Sequence, residues 1–157
     1  MKLSELFPDE RILPDLESGR KDDAIREIVQ LLCKTGAVAK KDAQDVERAL
    51  LRREELGSTG IGKGVAVPHA KHPAAAGVTG AFARSKNGVA FQALDGQPVH
   101  LVFLILSSPD AVDPHLDALR RVTTLIKDDD LCVFMRRAED GAELAALLKE
   151  SDERLPG

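Results

Sequence analysis

The sequence predicts a single α/β domain in which a mixed parallel and antiparallel sheet is flanked by helices on both faces. Three observations predict it. Helical and strand-like apolar patterns alternate along all 157 residues with no internal repeat or linker. The run Val99–Leu106, VHLVFLIL, is apolar apart from His100, as in a strand covered on both faces. Connections in the middle of the chain are too short for helical crossovers, which favours a mixed sheet over a fully parallel one.

Taken in order, residues 1–19 hold Leu3, Leu6, Phe7, Ile12 and Leu13 in short apolar groups broken by Pro8 and Pro14. This predicts loosely ordered residues 1–10 and an edge strand near Ile12–Leu13. Lys21–Thr35 is an amphipathic helix with Ala24, Ile25, Ile28, Val29 and Leu32 on one face and Gly36 at its stop. Lys41–Leu56 is a second helix, with Asp42 as N-cap, Val46, Ala49 and Leu50 inward, and Gly57 ending it. Strands follow at Val65–Val67, Val78–Arg84, Val89–Phe91 and Val99–Leu106, with LDGQP at Leu94–Pro98 as a turn. The last third is helical: His115–Lys127, with Leu116, Leu119, Val122 and Ile126 inward, then Leu131–Arg137 and Glu139–Glu150. A polar tail, residues 151–157, is expected to be loosely ordered, so one domain spans 1–157.

Composition narrows the function. Aromatic residues make up 3% of the chain, with no Trp and no Tyr, so base stacking lacks its usual side chains. A net charge of -4 argues against nucleic-acid backbone binding. The longest apolar run has eight residues, far short of a membrane span, and the N-terminus has no secretory h-region, which together predict a cytoplasmic protein. Cys33 and Cys132 lack CxxC spacing and read as reduced thiols in apolar helices.

The chemistry concentrates in Arg52–Lys71, RREELGSTGIGKGVAVPHAK. Gly57, Gly60, Gly62 and Gly64 form a loop whose amides suit an anion. Pro68 restricts the direction in which His69 leaves the strand. A neutral imidazole with a lone pair at pH 7 is suited to reversible phosphoryl carriage. Arg53, on the preceding helix end, can hold a phosphoryl group as a planar donor fork. His115 begins a helix after Pro114, where ring N–H and helix dipole can meet phosphoryl oxygens. Each has a plainer reading: a packed or surface histidine at His69 and His115, and a solvated arginine at Arg53. Gly57 to Lys63 nearly spells a Walker A loop, but Gly64 replaces the Ser or Thr, and a helix precedes where a strand should. A metal site from His69, His72, His100 and His115 is disfavoured because Pro73 prevents a helix across the first pair. Ser58, His69 and Asp95 or Asp113 could form a hydrolase triad, but no nucleophile elbow is present.

Arg53–Lys71, REELGSTGIGKGVAVPHAK, resembles the phosphorylation-site signature of the fructose/mannitol-type enzyme IIA domains of the bacterial phosphotransferase system, the nitrogen-regulatory (Ntr) members most of all. Asp113–Arg120, DPHLDALR, resembles that family's second histidine segment, and with the spacing the similarity covers nearly the whole chain. The resemblance implies the family's fold and a phosphotransferase component. His69 is then phosphorylated at Nε2 by a histidine carrier protein, HPr or its nitrogen-branch counterpart NPr. It implies charge-stabilising roles for Arg53 and His115, and accords with a phosphate-binding loop at Gly57, Ser58, Thr59 and Gly60, where Ser58 and Thr59 read as mainly structural. The partners it implies are an enzyme IIB cysteine or regulatory targets, with no cofactor and no metal.

Overall fold

The computed structural model describes residues 1–154. Six strands make one sheet: β1 (Ile12–Leu13), β2 (Gly60–Gly62), β3 (Val65–Ala66), β4 (His69–Lys71), β5 (Val78–Val89) and β6 (Val99–Ser107). Six α-helices accompany them: α1 (Leu3–Leu6), α2 (Lys21–Lys34), α3 (Ala43–Glu55), α4 (Val112–Ile126), α5 (Asp129–Arg137) and α6 (Gly141–Arg154). The path across the sheet is β1-β5-β6-β3-β2, with β4 beside β6. Pairing is antiparallel for β5/β6 and β2/β3, and parallel for β1/β5, β3/β6 and β4/β6. The mixed sheet expected from the short connections is present.

Because side chains alternate across a strand, β6 feeds two cores. Leu101, Phe103 and Ile105 face α1, α4, α5 and α6, whereas Val102, Leu104 and Leu106 face α2 and α3. The first core uses most of the few aromatics, with Phe82 stacked on Phe103 at 4.4 Å and Phe7 edge-on to Phe103 at 5.5 Å. Each such buried side chain contributes roughly 1.5–3 kcal/mol. The second core is mainly aliphatic. α2 stops where expected, with Gly36 at φ 81 and the Ala37 amide bonded back to the Leu32 carbonyl at 2.9 Å.

Several expectations need correction. Residues 1–10 are not loose: Leu3, Leu6 and Phe7 are buried, and the Asp152 carboxylate accepts from the Leu3 and Ser4 amides at 2.6 and 3.0 Å. That carboxylate satisfies donors at the start of α1 that a helix leaves unpaired. The expected polar tail is helical to Arg154; residues 155–157 lie outside the described residues. Asp42 closes a short 3-10 turn in helical geometry and makes no side-chain cap bond. α4 begins at Val112, three residues earlier than expected, and its inner face is formed by His115, Ala118 and Val122, whereas Leu116, expected inward, is exposed. The strand expected at Val89–Phe91 is the end of β5 at Val89, reached through a shift in register after Arg84.

Candidate active site

Two parallel strands end together at one edge of the sheet. β4 pairs His69 with Ile105 and Lys71 with Ser107, so the β4 histidine and the last residue of β6 lie two positions apart on neighbouring strands. Carboxyl ends of parallel strands are the common place for a site in an open α/β sheet. α4 follows β6 directly and carries His115 over this edge.

His69 is half-buried, and its Nδ1 donates to the Val67 carbonyl at 2.7 Å. Pro68, between them, fixes the turn that brings the ring onto that carbonyl. The bond settles the tautomer: Nδ1 carries the proton and Nε2 keeps its lone pair. Burial, chiefly, holds the imidazolium pKa below the usual 6.5, and the Arg53 charge works in the same direction against the Val67 bond and Glu54. His69 is therefore neutral at pH 7.

His115 lies beside it, ring centroids 5.8 Å apart and the planes inclined by 51°. Its ring is buried, and Nδ1 shares a 2.5 Å hydrogen bond with Ser107 Oγ. Burial and then the nearby His69 and Lys71 lower its pKa as well. Arg53 reaches the same edge from the last turn of α3, where Nη1 donates to the Gly57 carbonyl at 2.9 Å. The arrangement brings together one free imidazole nitrogen, a second imidazole and a guanidinium, which suits a group carrying several anionic oxygens.

The glycine-rich segment divides in two. Its first half stays near His69, since the Val67 amide donates to the Thr59 carbonyl at 3.1 Å. Its second half is a hairpin, β2 to β3, that turns at Lys63 and Gly64 with φ 59 and 75, and lies beside the other end of β6. The first half is not a ring of free amides. The Gly57 amide donates to the Glu54 carbonyl at 3.1 Å, the Thr59 amide to Glu54 Oε1 at 3.1 Å, and the Gly60 amide to Ser58 Oγ at 3.0 Å. Ser58 Oγ donates in turn to the Phe91 carbonyl at 2.6 Å. Thr59 Oγ1 donates to the second Glu54 oxygen. The amides of Gly57, Thr59 and Gly60, expected to face an anion, are therefore engaged within the loop, and the Gly57 carbonyl receives Arg53.

Glu54, Ser107 and the Val67 carbonyl were not among the residues singled out from the sequence. Glu54 is buried, accepts both Thr59 donors and pairs with Lys21 Nζ at 3.2 Å. Its signal is a carboxylate five residues before a Thr in the turn that ends a helix. Ser107 is the first polar residue after an apolar strand, at the position where the chain leaves the sheet. His72, the other histidine nearby, has both ring nitrogens engaged, by Asp45 Oδ2 at 2.7 Å and the Ala74 amide at 2.9 Å. His100 stands at the far end of β6. Among the described residues no helix is long and apolar enough to cross a membrane.

Residues 5–151 match the family model described as "Phosphoenolpyruvate-dependent sugar phosphotransferase system, EIIA 2". The chain belongs to this family. The nitrogen regulatory protein of Bradyrhizobium diazoefficiens is 37% identical over 94% of this chain and 95% of its own length. The fructose-specific EIIABC component of Bacillus subtilis is 39% identical over 97% of this chain, which spans only 24% of that longer protein. The crystal structure of the nitrogen regulatory protein IIA-Ntr from Neisseria meningitidis superposes with a TM-score of 0.83 at 34% identity, covering 93% of this chain and 98% of the other. Both the fold and the family expected from the two histidine segments therefore stand. This EIIA 2 domain is a phosphotransferase-system component with relatives of both the sugar-specific and the nitrogen-regulatory kind.

Proposed function

We propose that this EIIA 2 domain is a cytoplasmic phosphoryl carrier whose acceptor is Nε2 of His69. The observation that carries the reading is the Nδ1–H bond to the Val67 carbonyl at 2.7 Å, which leaves a lone pair on the other nitrogen. In the transfer, the N–P bond of a phosphohistidine on HPr or NPr breaks as an N–P bond to His69 Nε2 forms. The donor imidazole keeps the electron pair of the broken bond. Ser107 donates to Nδ1 of His115, so that His115 offers Nε2–H to a phosphoryl oxygen. The guanidinium of Arg53 faces the remaining charge. Such stabilisation by fixed donors is the main service a protein gives to phosphoryl transfer. Leu56, Val112 and Leu116 are exposed apolar side chains on the segments that carry Arg53 and His115, and they suit docking of a protein donor.

The next acceptor is an enzyme IIB cysteine, or the phosphohistidine itself is the signal, as the similarity to nitrogen regulatory proteins along their length favours. Incubation with enzyme I, a histidine carrier and phosphoenolpyruvate is expected to add one acid-labile phosphate per chain. Failure of label transfer, or label that persists in His69→Ala, overturns the reading. Addition of IIB proteins then separates the two roles: a sugar-transport carrier loses its label to them and a regulator retains it.

A further inference from the structure

We propose that the opposite end of the sheet holds a second site, which binds a small phosphorylated anion without reacting with it. A cavity of about 290 Å³ lies there, lined by Lys86, His100, Val133, Arg136 and Arg137. In a chain of net charge -4, this cavity has three cationic side chains and no carboxylate in its wall. Its volume is at the lower limit for ligand pockets and fits a phosphate or phosphomonoester better than a nucleotide.

The cations do not serve the fold in other ways. Arg136 and Arg137 are exposed and make no ion pair among the described residues. Lys86 has only a loose 3.4 Å contact with Asp15, both side chains being exposed. His100 donates Nδ1–H to the Ser85 carbonyl at 2.9 Å, which fixes the ring and leaves Nε2 as an acceptor that can take a hydrogen bond from a P–OH group. Glycines flank it: a Cβ at Gly88 would lie 3.5 Å from His100 Nε2, and one at Gly64 would lie 3.8 Å from Arg136 Nη1.

Behind the cavity sits a cation that has no counter-ion among the described residues. Arg84 is fully buried and donates through Nη1 to the carbonyls of Met135, Arg136 and Ala138 at 3.1, 3.2 and 2.7 Å. Its Nε donates to the Pro14 carbonyl at 2.9 Å, and Nη2 is buried with no partner. These bonds hold the last turn of α5 fixed, so the two arginines start from a rigid backbone. The C-terminal dipole of α5 offsets part of the Arg84 charge, and an anion in the cavity offsets more. The neighbouring cavity of about 470 Å³ shares His100, Val133 and Arg136 but adds Asp95 and Asp129, the latter paired with Lys63 at 3.0 Å, so its wall mixes both signs of charge. The charge pattern therefore selects the smaller cavity.

The test is a titration of ¹⁵N-labelled protein with inorganic phosphate and, separately, glycerol 3-phosphate, against sodium chloride at equal ionic strength. Saturable shifts are expected at Gly64, Gly88, His100 and Val133, unchanged in His69→Ala. They should weaken about tenfold or more in the double variant Arg136→Ala/Arg137→Ala. Equal affinity for both probes identifies free phosphate as the ligand, and tighter binding of the ester identifies a phosphorylated metabolite. Shifts confined to His69, Arg53 and His115, shifts reproduced by chloride, or shifts unaffected in the double variant overturn the proposal. The same spectra report whether each variant is folded.

Discussion

The two ends of β6 each present a histidine, and they are built in opposite ways. At the carboxyl end, His69, His115, Ser107, Thr59 and Glu54 are buried or half-buried, and apart from Nε2 of the two histidines their side-chain polar atoms are bonded to one another, to Lys21 or to backbone. At the amino end, the cations around His100 are exposed, and buried Arg84 bonds the backbone at the end of α5 that carries two of them. The difference teaches what each task needs. In the proposed transfer His69 needs one lone pair with a fixed direction, so its other nitrogen is committed to the Val67 carbonyl while His115 and Arg53 are left to meet the phosphoryl oxygens. Attracting an anion requires only positive potential, which mobile side chains supply at little structural cost.

The sharpest break in this comparison is made inside the first region. His69→Ala is expected to reduce phosphoryl uptake to background, whereas His72→Gln, three residues away, leaves it unchanged. Both imidazoles are near the same edge, but His72 has each nitrogen occupied by Asp45 or Ala74. Radiolabel incorporation measures this directly, and loss of uptake in His72→Gln would show that proximity and not a free Nε2 decides reactivity.

Next in size is His115→Ala, for which uptake is expected to slow about 10²–10³-fold, the usual effect of removing one fixed donor from a charged transition state. Rapid-quench kinetics should locate the loss in the transfer step, with affinity for the carrier retained. Ser107→Ala acts through His115 and should cost less, roughly tenfold, if the lost hydrogen bond is worth about 1.4 kcal/mol. Its distinguishing readout is the ¹⁵N shift pattern of the His115 ring, which should change tautomer or become an average of two. A purely structural Ser107 would leave that pattern intact.

The comparison extends to stability. Glu54→Ala leaves Lys21 without its 3.2 Å partner and strands two Thr59 donors in a buried place, so a loss of about 3 kcal/mol is expected. Arg137→Ala, at the exposed end, should stay within about 0.5 kcal/mol of the parent chain. Urea unfolding of the two variants tests the contrast, and similar losses in both would mean that the two ends are equally bound into the fold.

Local pattern carried much of the architecture. The faces of α2 and α3 and the doubly covered β6 could be read from apolar spacing, because each is decided by its own residues and a generic core. The segments singled out for chemistry do meet in space: the His69 and His115 ring centroids are 5.8 Å apart, and the Arg53 charge bears on His69. What could not be read depends on partners far away in sequence. α1 is ordered by Asp152, nearly the whole chain distant, and Glu54 acquires its role only through Lys21 and the turn at Thr59. The glycine segment misled for a related reason. Glycines that look like an anion loop are also what a tight hairpin needs, and only the pairing of Val65 with Leu101 shows that Gly62 and Gly64 belong to the other end. No side-chain cap marks the start of α4 at Val112, and apolar spacing alone did not separate the face of Leu116 from that of His115 and Ala118.

The smallest expected effect concerns pH, and it again sets buried imidazoles against exposed charge. His69 and His115 both have pKa values lowered from 6.5, burial being the first cause in each. An unfolded imidazole takes up its proton near 6.5, while these two resist it, so below that pH the unfolded state binds more protons. Stability contributed by the pair is therefore complete above 6.5, declines as pH falls through that value, and stops declining once the folded-state pKa values are passed. Asp45, held low mainly by its His72 hydrogen bond, has the opposite charge type, and its contribution is lost only as pH falls below 3.8. Unfolding midpoints between pH 7.5 and 5.5 cover the upper part of the histidine window and stay above 3.8, where the Asp45 contribution begins to be lost. The decline should be smaller in His69→Ala/His115→Ala than in the parent chain. Stability that instead rises on acidification would place a carboxylate against one of these rings, and would remove the reason for a neutral, nucleophilic His69 at pH 7.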